Sequence, residues 1–205
     1  LFGVAVGNVL RGLAIKDLVY QGTFFSFLNP YSLLTGLLVV ALFALHGALY
    51  LRLKSEGELQ AQTEGWIRRA LMIFVVLYGI VVVYTLMSLP HARTSVISWL
   101  VFPLSVLAIY GIRASMRKGK PMKAFLCSAA NIALMVLSFA AAMFPNLVIS
   151  SIDAASNLDI WNAANSPKTL AIMLGIVCGG LPFVLAYTAW IYWIFRGKVG
   201  ADTYY

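Results

Sequence analysis

The sequence predicts an all-α membrane protein, a polytopic bundle of transmembrane helices. Its mean hydropathy is +0.88 and only 11% of its residues are charged, whereas soluble domains carry about 25%. Five apolar runs contain no Lys, Arg, Asp or Glu: Tyr31–Leu51, Ala70–Leu89, Val96–Ile112, Ala124–Phe144 and Leu170–Phe195. Because lipid cannot satisfy backbone polar groups and these runs do not alternate in hydrophobicity, helices are expected rather than barrel strands.

The lengths of the runs fit this interpretation. A bilayer core about 30 Å thick needs roughly 20 apolar residues in a helix, and four runs reach that length. The third, Val96–Ile112, has 17 residues and lies at the lower limit. A further apolar stretch, Leu1–Leu10, is too short to span and lacks the features of a signal peptide. We interpret it as the stub of a preceding helix, so that residues 1–205 form a single membrane domain from the C-terminal part of a longer subunit.

The distribution of basic residues predicts the orientation. Eleven of the 15 Lys and Arg residues lie in segments 52–69 and 113–123 and in the tail after Phe195, and four lie in the other loops. Cytoplasmic loops of membrane proteins carry the excess of Lys and Arg. We therefore expect a multi-pass membrane protein with a cytoplasmic C-terminus, which in a bacterium would lie in the plasma (inner) membrane. The net charge of +8 is explained in this way without a nucleic-acid partner.

Short local patterns predict where helices begin and end. Asn29-Pro30 and Ser166-Pro167 each place a capping residue before a proline at the first helical position. Ser55 followed by Glu58 predicts a capping box and a new helix after a break. Pro145 is expected to close the fourth span.

Three features concern the packing of the spans. The short link 90–95 predicts an antiparallel hairpin between the second and third spans. Pro103 predicts a kink in the third span. Gly179, Gly180 and Pro182 predict a close approach or a kink within the last span.

Polar chemistry within the spans is sparse. Apart from Tyr and Cys, His46 is the only ionisable residue in a run, and an ionisable group in a membrane is a functional candidate. It could carry protons, bind a quinone or ligate a haem iron; the competing interpretation is a neutral histidine bonded to a neighbouring helix. Asn131 is expected to join helices by hydrogen bonds. Cys127 and Cys178 are expected to be small core residues without a disulfide.

The remaining acidic residues suggest no active site. Asp153 and Asp159 lie in an outer loop and are expected to be solvated, and the glutamates of the second loop lie beside basic residues. No nucleotide-binding, hydrolase or metalloprotease motif occurs, and no cluster of Cys and His predicts a metal. No catalytic or metal-binding residue is assigned, and His46 is the candidate for binding a cofactor. A secondary transporter, with a broken last helix, and a structural membrane protein are the alternatives that the residues leave open.

Several strings, in order, resemble subunit II of the cytochrome bd quinol oxidases. The first half carries Phe2–Gly12, Tyr20–Leu34, His46–Leu51 and Glu56–Leu59. The second half carries Met143–Pro145, Trp161–Ala163, Thr169-Leu170, Leu181-Pro182 and Tyr187–Tyr192. The resemblance covers essentially the whole chain.

The resemblance implies a fold of two four-helix bundles and one extra helix, of which this chain would supply the second bundle and the ninth helix. It implies that subunit I is the partner and holds the haems b and d and the quinol-oxidising loop. Subunit II would be a haem-free, non-catalytic scaffold surrounded by membrane lipid, inactive as a fragment. In some members it also binds a quinone and lines a proton path, whose acidic residues belong to the N-terminal part. The complex would oxidise membrane quinol and reduce O₂ to water.

Overall fold

The computed structural model describes residues 1–17, 19–90 and 96–197. Within these ranges the chain forms six α-helices: α1 (Phe2–Arg11), α2 (Pro30–Lys54), α3 (Gly57–Ser88), α4 (Val96–Arg117), α5 (Pro121–Met143) and α6 (Pro167–Ile194). Helices α2 to α6 provide five segments that are long and apolar enough to cross a membrane. The predicted class, an all-α polytopic bundle, is confirmed. The link between the second and third spans, including Arg93, and Lys198 in the tail lie outside the described residues.

Helix α2 lies at the centre of the bundle and packs against α1, α3 and α5. Its buried residues recur at alternating intervals of four and three, and they include Tyr31, Leu38, Leu45 and Leu49. Residues at this spacing lie along one side of the helix, although the helix is apolar on all sides. Helix α3 contributes a matching stripe that contains Ile67, Phe74 and Val81. The core of the described chain therefore runs along α2.

Helix α1 packs against α2 through glycines. A Cβ atom added at Gly3 would lie 2.9 Å from the Cα of Gly36, and one added at Gly7 would lie 2.7 Å from the Cα of Ser32. Both helices therefore present small residues four positions apart, the arrangement that lets membrane helices approach closely. The predicted stub is a helix, and its position depends on this contact.

The helix ends largely follow the predictions. The side chain of Asn29 accepts a hydrogen bond from the Ser32 amide at 3.0 Å, and Ser166 caps α6 in the same way. Helix α5 ends at Met143, before Pro145. The predicted break near Ser55 occurs, but the capping box is wrong, because Ser55 ends α2 and donates its hydroxyl to the Leu51 carbonyl oxygen.

Helices α4 and α5 form the closest hairpin, joined by a turn at residues 118–120. Helix α4 runs through Pro103 and continues to Arg117, beyond the predicted end at Ile112. Helices α3 and α4 meet through stacked rings of Tyr78 and Phe102, whose centroids are 6.3 Å apart. The predicted hairpin of the second and third spans therefore depends on long side chains rather than on close backbone packing.

Helix α6 lies apart from the other helices and has no buried residue. A polar contact joins its end to α2, where Lys54 Nζ donates to the carbonyl oxygens of Phe195 and Gly197 at 2.6 and 3.2 Å. The helix is continuous through Pro182, and a Cβ added at Gly179 or Gly180 would meet nothing within 4 Å. The predicted close approach at these glycines is therefore wrong for the described chain.

The two long loops 12–29 and 144–166 meet at one face of the bundle. They contain two short antiparallel ribbons, β1 (Ile15–Lys16) with β2 (Val19–Tyr20) and β3 (Asn146–Val148) with β4 (Leu158–Asp159), and two turns of 3₁₀-helix. Leu13 joins the loops, because its amide donates to the carbonyl oxygen of Ile149 and its carbonyl oxygen accepts from Ser151. The ends of α2 and α6 meet at the opposite face. Helices α2 and α6 therefore begin at one face and end at the opposite face, as the run pattern predicts for the first and last spans.

Candidate functional site

His46 lies at the contact between α2 and α5. Its Nδ1 is 3.0 Å from the hydroxyl oxygen of Ser128, and either atom can donate, depending on the tautomer. The imidazole also stacks on the ring of Phe125, with centroids 4.5 Å apart and planes inclined by 27°. Both neighbours belong to α5, one turn apart, so this side chain bonds a neighbouring helix.

The polar face of α5 continues from Ser128 to Asn131, and both residues are fully buried. Asn131 does not show the predicted bond between helices. Its described hydrogen bond goes from Nδ2 to the sulfur of Met135 in the same helix at 4.0 Å, and its Oδ1 has no partner among the described residues. In the structure His46 therefore contacts Ser128, whereas Asn131 is buried and shows no described hydrogen bond to another helix.

The two cysteines are free, as predicted. Cys127 packs against the bundle core, and a Cβ added at Gly111 of α4 would lie 2.9 Å from its sulfur. Cys178 is exposed on α6, so the prediction that it is a core residue is wrong. Helix α6 has no partner along its length in the described chain, which explains the difference.

The described contacts of His46 are at one face of its imidazole, which Phe125 covers, and at Nδ1, which Ser128 engages. A hydrogen bond at one ring nitrogen fixes the tautomer and orients the other nitrogen. Among the described residues, no three His, Cys, Asp or Glu side chains group as metal ligands. The donor set at this contact therefore offers hydrogen bonding between helices.

A second polar contact joins α2 to α3. The Tyr31 hydroxyl is 2.9 Å from the Thr85 Oγ1, and Thr85 also bonds the carbonyl oxygen of Val81 in its own helix. Tyr31 is only 1% exposed. This contact could not be predicted from the sequence, because tyrosine and threonine occur on any face of a membrane span.

A third contact joins α1 to the start of α2, and sequence reasoning missed it. Asn8 is buried, its Oδ1 accepts from Asn29 Nδ2 at 2.8 Å, and its own amide donates to the Phe27 carbonyl oxygen at 2.8 Å. The same Asn29 caps α2. The asparagine within the apolar stretch 1–10 could have indicated this contact, because buried amides in membrane helices form hydrogen bonds to neighbouring helices.

Side-chain hydrogen bonds add to the backbone bonds that join the loops 12–29 and 144–166. Ser150 donates to the Ile15 carbonyl oxygen at 2.6 Å, and Ser156 accepts from the Asp17 amide at 3.1 Å. Asp153 accepts from the Ser156 hydroxyl at 2.7 Å and from the Ala155 amide at 3.0 Å.

Neither loop aspartate is buried, and both also accept hydrogen bonds within the loop. The hydrogen bond from Ser156 and then the amide of Ala155 hold the pKa of the Asp153 carboxyl below its usual value. The Oδ1 atom of Asp159 accepts hydrogen bonds from the backbone amides of Trp161 and Asn162. Both carboxylates organise turns of the loop.

The glutamates of the second loop lie near basic residues, as predicted, but the described ion pair crosses between helices. Arg52 of α2 bonds Glu64 of α3 at 2.5 Å and also donates to the Gln60 carbonyl oxygen. The pair therefore holds the α2–α3 connection. It lies beside the base-rich segment and offers no catalytic geometry.

Comparison with known proteins gives a consistent result. The family model described as cytochrome bd terminal oxidase subunit II matches residues 1–195. The chain is similar to the cytochrome bd-I ubiquinol oxidase subunit 2 of Escherichia coli strain K12, with 27% identity over 97% of the chain and 62% of the relative. It is also similar to the probable cytochrome oxidase subunit 2 of Haemophilus influenzae, with 29% identity over 98% and 62%. The cytochrome bd ubiquinol oxidase subunit 2 of Bacillus subtilis is 26% identical over 97% and 60%.

The match extends through the five apolar helices and the loops 12–29 and 144–166, and it confirms the resemblance of the ordered strings. The chain spans about three fifths of the length of these relatives. The chain belongs to the cytochrome bd terminal oxidase subunit II family.

Proposed function

We propose that this chain is part of subunit II of a bd-type quinol oxidase, which oxidises membrane quinol and reduces O₂ to water. The observation that carries the proposal is the family match over residues 1–195, together with five apolar helices in the described chain. The relatives are named as subunits of ubiquinol or cytochrome oxidases, so a subunit I is the expected partner and quinol the expected substrate. In this proposal the chain is the second four-helix bundle, α2 to α5, followed by the last helix.

In the proposed complex this chain is a haem-free scaffold, and the haems b and d belong to subunit I. The contact of His46 with Ser128 and Phe125 joins α2 to α5, as expected of a scaffold. The contact of Tyr31 with Thr85 likewise joins α2 to α3. These bonds stabilise the bundle, and none of them aligns a donor and an acceptor on an open cavity. Any quinone site or proton path of the subunit would then involve groups beyond these pairs.

The proposed orientation places the α4–α5 turn and the end of α6 in the cytoplasm of a bacterium and the paired outer loops on the opposite side. It is supported by the basic residues, since Arg113, Arg117 and Lys118 lie at the α4–α5 turn. In the structure the loops with few bases, 12–29 and 144–166, contact each other at one face. Cysteines introduced at Gly119 and Trp161 should be labelled by a membrane-impermeant thiol reagent from opposite sides of the membrane. Labelling of both from one side would contradict the proposed topology.

Co-purification tests the proposed function most directly. The full-length protein is expressed with its genomic neighbour, purified through a tag on this subunit, and examined by a reduced-minus-oxidised visible spectrum. Bands of b- and d-type haem that follow the tag, and quinol-dependent oxygen uptake, are expected. A folded complex with neither band would refute the proposal. A matched purification of the tagged subunit alone should yield protein without haem bands, and haem retained by it would contradict the haem-free assignment.

The transporter alternative depended on a broken last helix. Helix α6 is continuous through Gly179, Gly180 and Pro182, so this chain does not show the discontinuous helix on which that interpretation was based. Reconstitution of the subunit without its partner should give no flux of substrates across the membrane.

A further inference from the structure

An apolar groove runs along the hairpin of α4 and α5. Its volume is about 780 Å³, within the range of about 300–1,000 Å³ found for sites that bind small molecules. Small residues make room for it, among them Ala108 and Ala114 on α4 and Ala130 and Ala133 on α5. At its floor the helices approach so closely that a Cβ on Gly111 would lie 2.9 Å from a sulfur atom of α5. The groove is therefore a feature of helix packing rather than of one mobile side chain.

One end of this groove is strongly basic. Lys118, Lys120 and Lys123 line it at the α4–α5 turn, and all three side chains are exposed. The sequence contains no Asp or Glu between residues 96 and 144, so neither helix supplies a carboxylate to neutralise them. The rest of the lining is almost entirely hydrocarbon. The groove thus combines a cationic end at the membrane surface with an apolar channel that extends into the membrane.

The groove is long enough to cross the hydrocarbon of one leaflet. Its lining on α4 runs from Leu104 to Lys118, which at about 1.5 Å per residue is about 21 Å of helix. Half of a hydrocarbon core is about 15 Å thick. A molecule whose charged group lies at the lysines can therefore place an apolar chain along the groove without leaving its leaflet.

We propose that this groove binds an anionic glycerophospholipid, with the phosphate at Lys118, Lys120 and Lys123 and an acyl chain along the small residues of α4 and α5. Basic pockets between membrane helices at a membrane surface are suited to anionic headgroups. Charge complementarity selects this occupant, because a quinone ring is neutral and would leave three ammonium groups without an anion. The proposal goes beyond the family assignment and does not depend on it.

Native mass spectrometry of the full-length protein, as purified from membranes, tests this proposal. The wild type is exchanged into phosphatidylcholine and then titrated with phosphatidylglycerol. The K120Q/K123Q double variant is titrated in the same way. An ammonium group near an anionic headgroup contributes about 1 kcal/mol, or about fivefold in affinity, so the affinity for phosphatidylglycerol should fall about 25-fold. Equal affinity of the two proteins would overturn the proposal.

The matched control is the R113Q/R117Q variant. Both arginines belong to α4 near the same turn, and neither lines the groove, so the variant loses the same charge from the same surface. It should lose clearly less affinity than K120Q/K123Q, because neither arginine lines the groove that would hold the headgroup. A loss as large as that of K120Q/K123Q would show general surface attraction and would refute a site.

A second variant tests the channel without changing charge. Leucine in place of Ala133, which is exposed and lines the groove, should fill the space for the acyl chain and weaken lipid binding while leaving helical content by circular dichroism unchanged. Unaltered binding by A133L would refute the assignment of the chain to the groove. Three further outcomes overturn the proposal: retention of phosphatidylcholine as strongly as phosphatidylglycerol, displacement of the lipid by inorganic phosphate, or co-purification of a quinone in the groove instead of a phospholipid.

Discussion

Replacing Gly7 with alanine should force α1 away from α2. The added methyl would lie 2.7 Å from the Cα of Ser32 and 3.0 Å from the Cβ of Thr35, whereas ordinary carbon–carbon contacts are about 3.5–4.0 Å. The obstacle is the backbone of α2, which cannot rotate aside as a long side chain could. Helix α1 must therefore shift by most of an ångström, and the contact at Gly3 would loosen with it.

Two terms set the size of this effect. Overpacking of a tight contact costs about 1–3 kcal/mol, and alanine gains up to about 1 kcal/mol over glycine in helix propensity. Gly79 in α3 provides the matched control, because a Cβ there would meet nothing within 4 Å. Its alanine variant carries the propensity term alone. The G7A variant should therefore be about 1–3 kcal/mol less stable than G79A.

The free energy of unfolding of the full-length protein can be measured in mixed micelles by titration with SDS, followed by far-ultraviolet ellipticity. The two variants are compared with the wild type under identical detergent conditions. A free energy of unfolding for G7A equal to that of G79A would refute the inferred close contact. A selective loss in G7A would support the placement of α1 on α2 by small residues.

Three further outcomes are expected. In a double-mutant cycle of Tyr31→Phe and Thr85→Val, the 2.9 Å hydroxyl contact should give a coupling of about 0.6 kcal/mol, and a coupling of zero would contradict it. The hydrogen bond from the Ser156 hydroxyl lowers the pKa of Asp153. The ionised carboxylate should therefore stabilise the loop 144–166 above the ordinary aspartate pKa, and this stabilisation should be lost as the pH falls through the lowered pKa. Pepsin sensitivity of the loop should then rise with acid in the wild type, and an Asp153→Asn variant that retained the same acid response would count against this. In the His46→Gln variant, the glutamine can keep a hydrogen bond to α5, so oxygen uptake by the proposed complex should stay near that of the wild type. A loss above about tenfold, which corresponds to about 1.4 kcal/mol in the barrier, with normal haem content would show that His46 acts in turnover.

Local sequence signals predicted helix ends well because the groups involved are neighbours in the chain. Asn29 and Ser166 each cap the amide three residues later, and this bond needs no tertiary contact. The capping box at Ser55 failed because Ser55 is the C-cap residue of α2, and Glu56, one residue later, is the N-cap residue of α3. A capping residue is thus easier to predict at an isolated helix end than at a position where one helix ends and the next begins.

His46 was identified from the sequence as the candidate, but its neighbours were not. The approach of Ser128 and Phe125 depends on the rotation of α5 about its own axis. Neither residue is unusual within an apolar run. The groove on α4 and α5 was hidden for the same reason, since alanines and a glycine scattered along two spans signal a cavity only when they face each other.

The sequence by itself determined the number of spans and the alternation of their ends, because the cost of charge in lipid and the length of a helix across a bilayer act on each segment separately. It could not determine which side of each helix is buried. In α2 every face is apolar, yet Leu45 is fully buried and Val40 is 65% exposed. Lipid and protein interior are equally apolar, so hydrophobicity does not distinguish them. Only the tertiary structure decided that choice, through glycine contacts, a few hydrogen bonds and the shapes of the facing side chains.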